Sequence, residues 1–234
     1  MIANLLRKYY STFHSVIDFN AGKDPLLLMD FTDGNKNLTK EIFENTETFT
    51  NYITTELKKS HAKYGIGGYN ENRIIYSRSR HFNSKPGEEP RSLHLGIDIW
   101  GKTDTTVFAP LGGMVHSFGY NNNYGDYGAT IVLLHQLDGM AFYTLYGHLS
   151  LKDIAAIKEG QYINRGECFG HFGIPEENGY WPPHLHFQVI QDMELNKGDY
   201  PGVCKLSEAR KYLTNCPDPD LILGMMQFAK PNTS

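Results

Sequence analysis

Short runs of β-forming residues follow one another between residues 73 and 190, and this pattern restricts the fold more than any other. The runs are 73–76, 93–99, 106–109, 113–119, 130–135, 141–148, 161–163 and 184–190. They recur about every 10–15 residues with glycine-containing turns between them, which is typical of an antiparallel sheet or sandwich. One short helix is predicted over 151–159. The fold class is therefore mainly β with an antiparallel β-sheet or sandwich core.

The residues before this β region have helical rather than β patterning. Apolar side chains over 2–18 follow a helical period, and 25–31 is a short apolar run typical of a buried strand. Thr39 is a candidate N-cap for a second helix over 40–60. We predict a helix–strand–helix extension over 1–62 that packs on the core. Gly65 to Tyr69 is interpreted as a tight crossing into the β region.

Two further boundaries follow from the change in composition along the chain. The β domain is predicted to span 63–195. Residues 196–234 contain Pro201, Pro217 and Pro219 and are predicted to form an irregular tail with a short helix near 206–213.

Composition and charge exclude several classes of function. A chain of 234 residues with 40% hydrophobic and 21% charged residues is expected to fold as one large domain or one domain with an extension. The net charge of -4 gives no electrostatic reason to expect nucleic acid as a partner. No apolar run is long enough to span a membrane. The sequence indicates no oligomeric state.

The N-terminus carries no recognisable secretion signal. Its positive charges, Arg7 and Lys8, follow the apolar residues, and no small-residue cleavage site comes after them. This predicts a cytoplasmic location, or a cell-envelope or secreted one if a leader precedes this sequence in the natural chain.

The three cysteines, Cys168, Cys204 and Cys216, contain no C-x-x-C pair, so a thiolate zinc site is not expected. Cys204 and Cys216 could form one disulfide, but free buried thiols are the favoured interpretation because cysteine is so scarce.

The β run 184–190 begins with two histidines, His184 and His186, separated by one residue. Residues i and i+2 of a strand point to the same face, about 6.5 Å apart along the chain. Two imidazoles are therefore directed into one small volume, which favours a metal or a proton-transfer role.

Two other segments contain candidate partners. His94 and Asp98 are four residues apart, about 13 Å on a straight strand, so they can meet only if the chain bends. Gly96 between them permits such a bend. His148 ends an aromatic strand and by itself is more typical of a structural residue, as is His135 on a predicted core strand. Two histidines and an aspartate would make a three-ligand catalytic zinc site, and the remaining imidazoles would suit proton transfer.

The order of these motifs resembles that of the lysostaphin-type peptidoglycan metalloendopeptidases. The similarity covers about 40% of the chain and is carried by several separate segments. These are Leu93 to Asp98, Val107 to Val115, Tyr146 to Ser150, Ile154 to Gly160 and His184 to Phe187.

The resemblance implies a β-sheet core with an open groove and a single Zn²⁺ ion. It assigns His94, Asp98 and His186 as the metal ligands, and His148 and His184 as the catalytic histidines. Spacing alone leaves this division open, because an H-x-H strand can also direct both histidines to one metal.

Two segments depart from the family pattern. The usual Gly-Thr-Pro before the second strand is Asp104-Thr105-Thr106 here. The turn before the histidine pair, usually rich in glycine and serine, contains Tyr180, Trp181 and two prolines. We expect Tyr180 and Trp181 to border the groove and contact substrate, so these departures bear on specificity more than on activity.

The resemblance implies a zinc metalloendopeptidase whose partner is a peptide or peptidoglycan substrate. An intracellular peptidase acting on other peptides and a non-catalytic regulatory module of the same fold are the alternatives. The extension 1–62 is expected to buttress the sheet, and the alternative is a latency segment that blocks the groove.

Overall fold

The computed structural model describes residues 2–82 and 87–231. Within these ranges the α-helices are α1 (Ile2–Tyr9), α2 (Lys40–Glu44), α3 (Thr46–Lys59), α4 (Leu151–Ala156), α5 (Ala209–Asn215) and α6 (Asp220–Leu223). The strands are β1 (Leu26–Met29), β2 (Tyr64–Gly67), β3 (Leu93–His94), β4 (Ile97–Trp100), β5 (Thr106–Phe108), β6 (Gly113–Asn121), β7 (Gly128–Leu137), β8 (Met140–Leu149), β9 (Tyr162–Ile163), β10 (Cys168–His171), β11 (His184–Ile190), β12 (Val203–Cys204) and β13 (Ala229–Lys230).

One large sheet organises the described residues, with the strand order β13-β1-β2-β4-β11-β8-β7-β6-β9. From β2 to β9 every neighbouring pair is antiparallel, whereas β1 is parallel to both β2 and β13. The strand pairs β5–β10 and β3–β12 form two small sheets beside it. The predicted mainly β fold is confirmed, and its antiparallel core contains the histidine strand β11 at the centre.

The helices of the extension are shorter than the sequence predicts. The first helix ends at Tyr9 and continues only as a 3₁₀ turn to Thr12, so the prediction over 2–18 is too long. The second is two helices, because the Asn45 side chain accepts hydrogen bonds from the backbone of Glu47 and Thr48 and starts α3 anew. Thr39 precedes α2 without a capping side-chain bond.

Two predictions near the start of the β region are wrong. Residues 74–76 of the predicted strand 73–76 lie in a 3₁₀ turn, Ile74–Arg78, which Arg73 precedes. The glycine cluster is not a crossing but the buried strand β2, which pairs with β1 and β4. A side chain at Gly65 would come within 2.8 Å of Met29, so the missing side chain lets the elements pack closely.

The extension and the tail both join the sheet. β1 and β13 continue it beyond β2. Phe49 of α3 packs against Trp100 of β4 and against Trp181, with ring centroids 5.9 and 6.4 Å apart. The wall of aromatic residues next to β4 and β11 is therefore built partly from the extension.

The predicted short helices are present with shifted bounds, as α4 and as a 3₁₀ turn followed by α5. All three cysteines are free, and Cys204 and Cys216 are buried, as expected. No helix in the described ranges has the length and apolar character needed to cross a bilayer.

Candidate metal centre and active site

The strand β11 places His184 and His186 on one face at the centre of the sheet. His186 pairs in register with Asp98 of β4 on one side and with Gly147 of β8 on the other. The pairing of β11 with β4 therefore brings His186 next to Asp98, although the two residues are 88 positions apart in the chain.

The chain bends between His94 and Asp98, as the glycine between them predicts. β3 ends at His94 and β4 begins at Ile97, and His94 Nε2 lies 3.3 Å from Asp98 Oδ1. A Cβ atom at Gly96 would lie 2.5 Å from the ring of His186. Glycine is therefore required here for the space that His186 occupies.

His94, Asp98 and His186 form a compact set of metal-donor atoms. His186 Nδ1 lies 3.0 Å from His94 Nε2 and 3.1 Å from Asp98 Oδ1. Zinc bonds of about 2.0–2.1 Å in a tetrahedron place neighbouring ligand atoms roughly 3.3 Å apart. The three observed separations of 3.0, 3.1 and 3.3 Å suit such a shell.

Hydrogen bonds on the far side of each ring fix the protonation of these two histidines. His94 Nδ1 donates to the carbonyl of Gly68 at 3.0 Å, and His186 Nε2 donates to Gln188 Oε1 at 2.9 Å. Two nitrogen lone pairs and a carboxylate oxygen therefore face one another. Three such acceptors repel each other unless a cation lies between them, so the residues fit a bound zinc ion.

The carboxylate of Asp98 is buried among positive and polar groups. Burial alone raises its pKa, but His94 and Arg73 together hold the pKa well below its usual value. Burial lowers the pKa of His94 to about 4, so this imidazole is neutral at pH 7 and has a lone pair for a metal.

His148 and His184 lie beside the three donors with their rings 4.1 Å apart. Each donates from Nδ1 to a backbone carbonyl, of Asn178 at 2.7 Å and of Pro182 at 2.8 Å, which leaves Nε2 as the acceptor nitrogen. Burial lowers the pKa of His184 to about 4 and that of His148 well below its usual value. Both are neutral bases at pH 7.

The backbone of His148 is held in an uncommon conformation. Its φ of 63° lies in the left-handed region, which is unfavourable for a residue with a side chain. Its N–H donates a hydrogen bond to the Tyr127 carbonyl, and its own carbonyl accepts one from the Gly173 N–H, both at 2.9 Å. These two bonds hold the backbone in this conformation. Such retained strain is often found at functional sites, and here it directs the imidazole toward His184.

The five predicted site residues are only 1–5% exposed, and all of them except His94 line a cavity. Its wall includes Tyr76, Phe82, Tyr127 and Trp181. Trp181 is 3% exposed, whereas Tyr180 is 41% exposed, lies outside the cavity wall and packs on Tyr124. Trp181 therefore lines the cavity and Tyr180 does not. The predicted contact of both residues with substrate stays a prediction.

Sequence reasoning missed three residues that contact the donors. Gln188 could have been found, because it lies two residues after His186 and so on the same strand face. Tyr127, whose hydroxyl is 3.3 Å from His186 Nε2, had no such signal. Arg73 had none either, although it forms an ion pair with Asp98.

Residues 92–197 match peptidase family M23. The match covers somewhat less than half of the chain. The match spans all five predicted site residues and excludes both the extension and Arg73. The matched segment also contains the three converging donors, which are of the kinds that bind zinc.

Several solved structures are similar to the chain. A zinc-containing peptidase from Vibrio cholerae is 25% identical over 46% of this chain and 30% of that chain, with a TM-score of 0.35. The catalytic domain of lysostaphin from Staphylococcus simulans is 23% identical over 53% and 81%, with a TM-score of 0.36. A longer lysostaphin structure is 25% identical over 59% and 46%, with a TM-score of 0.38. No curated protein sequence matches.

Proposed function

We propose that the protein is a zinc-dependent metalloendopeptidase that hydrolyses peptide bonds in peptidoglycan cross-links or similar short peptides. His94, Asp98 and His186 are its metal ligands, and His148 and His184 are its catalytic histidines. One Zn²⁺ ion bound by the three donors supplies Lewis acidity and activates water at neutral pH.

The observation that carries the proposal is the convergence of three lone-pair donors at 3.0–3.3 Å next to two neutral imidazoles. Structural zinc sites usually have four protein ligands, whereas catalytic sites have three and leave one position open. Three ligands leave a position for water, and two acceptor nitrogens beside it can transfer protons. Such a site can hydrolyse a peptide bond without a covalent intermediate.

The two catalytic histidines would move the protons of the reaction. The Nε2 atom of His148 or His184 accepts a proton as water attacks the peptide carbonyl, because both imidazoles are neutral at pH 7. The protonated ring then has an Nε2–H that donates to the developing oxyanion or to the leaving amine. The Nδ1 hydrogen bonds to Asn178 and Pro182 keep both rings oriented throughout.

The burial of the site favours a second candidate, a peptidase that acts on soluble short peptides. The five site residues are at most 5% exposed, and Tyr76, Phe82 and Trp181 line the cavity beside them. A thin peptide end enters such a cavity more readily than a strand within a cross-linked polymer does.

One experiment tests both candidates. The zinc-loaded protein is incubated with purified peptidoglycan and, separately, with soluble oligoglycine and alanine-containing peptides, and new amino groups are measured. Release from both substrates supports the first candidate, and release from soluble peptides alone supports the second. If neither substrate is cleaved by protein that contains stoichiometric zinc, the proposed activity is wrong.

His184→Gln is the informative variant, because it should retain zinc and lose cleavage. His135→Gln is its matched control, since His135 is equally buried but lies outside the cavity. Equal cleavage by the two variants would contradict the role of His184.

A further inference from the structure

Arg73 lies outside the segment that matches the peptidase family, yet its side chain reaches the metal ligand Asp98. The guanidinium is completely buried and forms an ion pair with Asp98 Oδ2. Its Nε donates to Glu71 Oε2 at 2.6 Å. A buried arginine needs such partners, because an unpaired charge in the interior is strongly unfavourable.

This ion pair restricts how Asp98 can bind a metal. Oδ2 is held by Arg73, while Oδ1 faces His94 and His186 at 3.3 and 3.1 Å. The carboxylate therefore presents one oxygen to the metal position. Without Arg73, the carboxylate could turn and bind a metal through both oxygens, which would use a coordination position needed by water or substrate.

The surrounding chain makes room for this arginine. A Cβ atom at Gly67 would lie 2.9 Å from Arg73 Nη2, so β2 needs glycine at this position. Phe31 packs on the guanidinium at 5.3 Å. The Gly68 carbonyl accepts a bond from Arg73 at 3.4 Å and from His94 Nδ1 at 3.0 Å. The same short segment thus supports two of the three ligands.

We propose that Arg73 is a positioning residue that makes Asp98 a one-oxygen ligand and keeps the metal centre four-coordinate. The inference rests on the proposed metal centre and adds to it a contribution from outside the family domain. Glu71 balances the charge of Arg73, so the cation can remain close to a divalent metal without an excess of positive charge.

Cobalt(II) provides the test, because its visible absorption is strong in four-coordinate sites and weak in five-coordinate ones. The apo protein is titrated with cobalt, and zinc affinity is measured by competition with a chelator. Arg73→Met should lower the absorption several-fold and weaken zinc binding by about 10–100-fold, as expected when a group that orients a ligand is removed.

Arg78→Met is the matched control. Arg78 is half-buried and packs on Trp181 at 4.7 Å, and no metal ligand is among its contacts in the described residues. Loss of the Arg78 guanidinium should leave the cobalt spectrum unchanged.

Arg73→Lys is the second variant, since it retains the buried charge but cannot bridge Asp98 and Glu71 in the same way. It should show the same weakened absorption.

The outcomes are distinct. A wild-type spectrum in either Arg73→Met or Arg73→Lys overturns the positioning role, and so does zinc binding by Arg73→Met that is equal to or tighter than that of the wild type. A wild-type protein that binds neither metal overturns the metal centre itself, and the role of Arg73 with it.

Discussion

Two buried histidines of this protein have the same burial and the same shift in pKa but different surroundings. His135 in β7 and His184 in β11 are 1% and 2% exposed, and burial lowers both pKa values to about 4. Both rings donate from Nδ1 to a carbonyl, of Gly112 and of Pro182. The difference is at Nε2, because in His135 it is hydrogen-bonded to the Thr144 hydroxyl at 2.7 Å.

In His184 the same nitrogen is directed to the cavity beside His148. Burial and a low pKa therefore do not distinguish a functional histidine from a structural one in this molecule. The distinguishing property is a lone pair that the protein itself does not satisfy. The proposed ligands His94 and His186 show it most strongly, since their lone pairs face each other at 3.0 Å.

Removal of a proposed metal ligand should have the largest effect. His186→Ala should lose stoichiometric zinc and reduce peptide hydrolysis to background, because two protein donors hold zinc far less tightly than three. His135→Gln should retain both. Metal analysis of the two purified variants checks the prediction, and zinc retained in His186→Ala would contradict it.

The next largest effect is expected from changing either of the two proposed catalytic histidines. His148→Gln and His184→Gln should each lower kcat by about 100- to 10,000-fold while zinc remains bound, as expected for loss of a general acid or base. Steady-state kinetics together with zinc content separate this result from loss of the metal. A change in KM alone would place these histidines in binding rather than catalysis.

A smaller effect is expected from the groups that orient the rings. Gln188→Leu removes the acceptor of His186 Nε2–H and should weaken zinc binding by about 10–100-fold. The equivalent change beside His135, Thr144→Val, should leave zinc affinity unchanged and lower the free energy of unfolding by about 1–3 kcal/mol. Chelator competition and chemical denaturation measure the two quantities, and equal zinc affinities would remove the proposed role of Gln188.

The smallest effect is on the pH dependence of stability. In the unfolded chain His135 becomes protonated as the pH falls below 6.5. In the folded protein burial lowers its pKa, so that His135 stays neutral down to about pH 4. The stability associated with His135 is therefore fully present above pH 6.5 and declines as the pH falls toward 4. His135→Gln should make the free energy of unfolding fall less steeply across that window, and an unchanged slope would contradict this assignment.

Much of the site was predictable because its spacing is local. His184 and His186 share a face through strand alternation alone, and Gly96 indicated the bend that brings His94 to Asp98. The β runs 106–109 to 141–148 were also recognisable, since alternating apolar residues and glycine turns specify strands locally. The strand β2 was not, because a glycine-rich run has no local preference and becomes a strand only between β1 and β4.

The sequence by itself determined a mainly β fold and the histidine pair, and its resemblance to a peptidase family supplied the three proposed metal donors. The tertiary structure alone decided which nitrogen of each ring is free, that Trp181 lines the cavity while Tyr180 does not, and that Arg73 holds Asp98. The physical reason is that spacing along one strand is covalent, whereas hydrogen-bond partners such as Gly68, Asn178 and Arg73 come from distant segments. Only packing of the whole sheet brings those segments to the site.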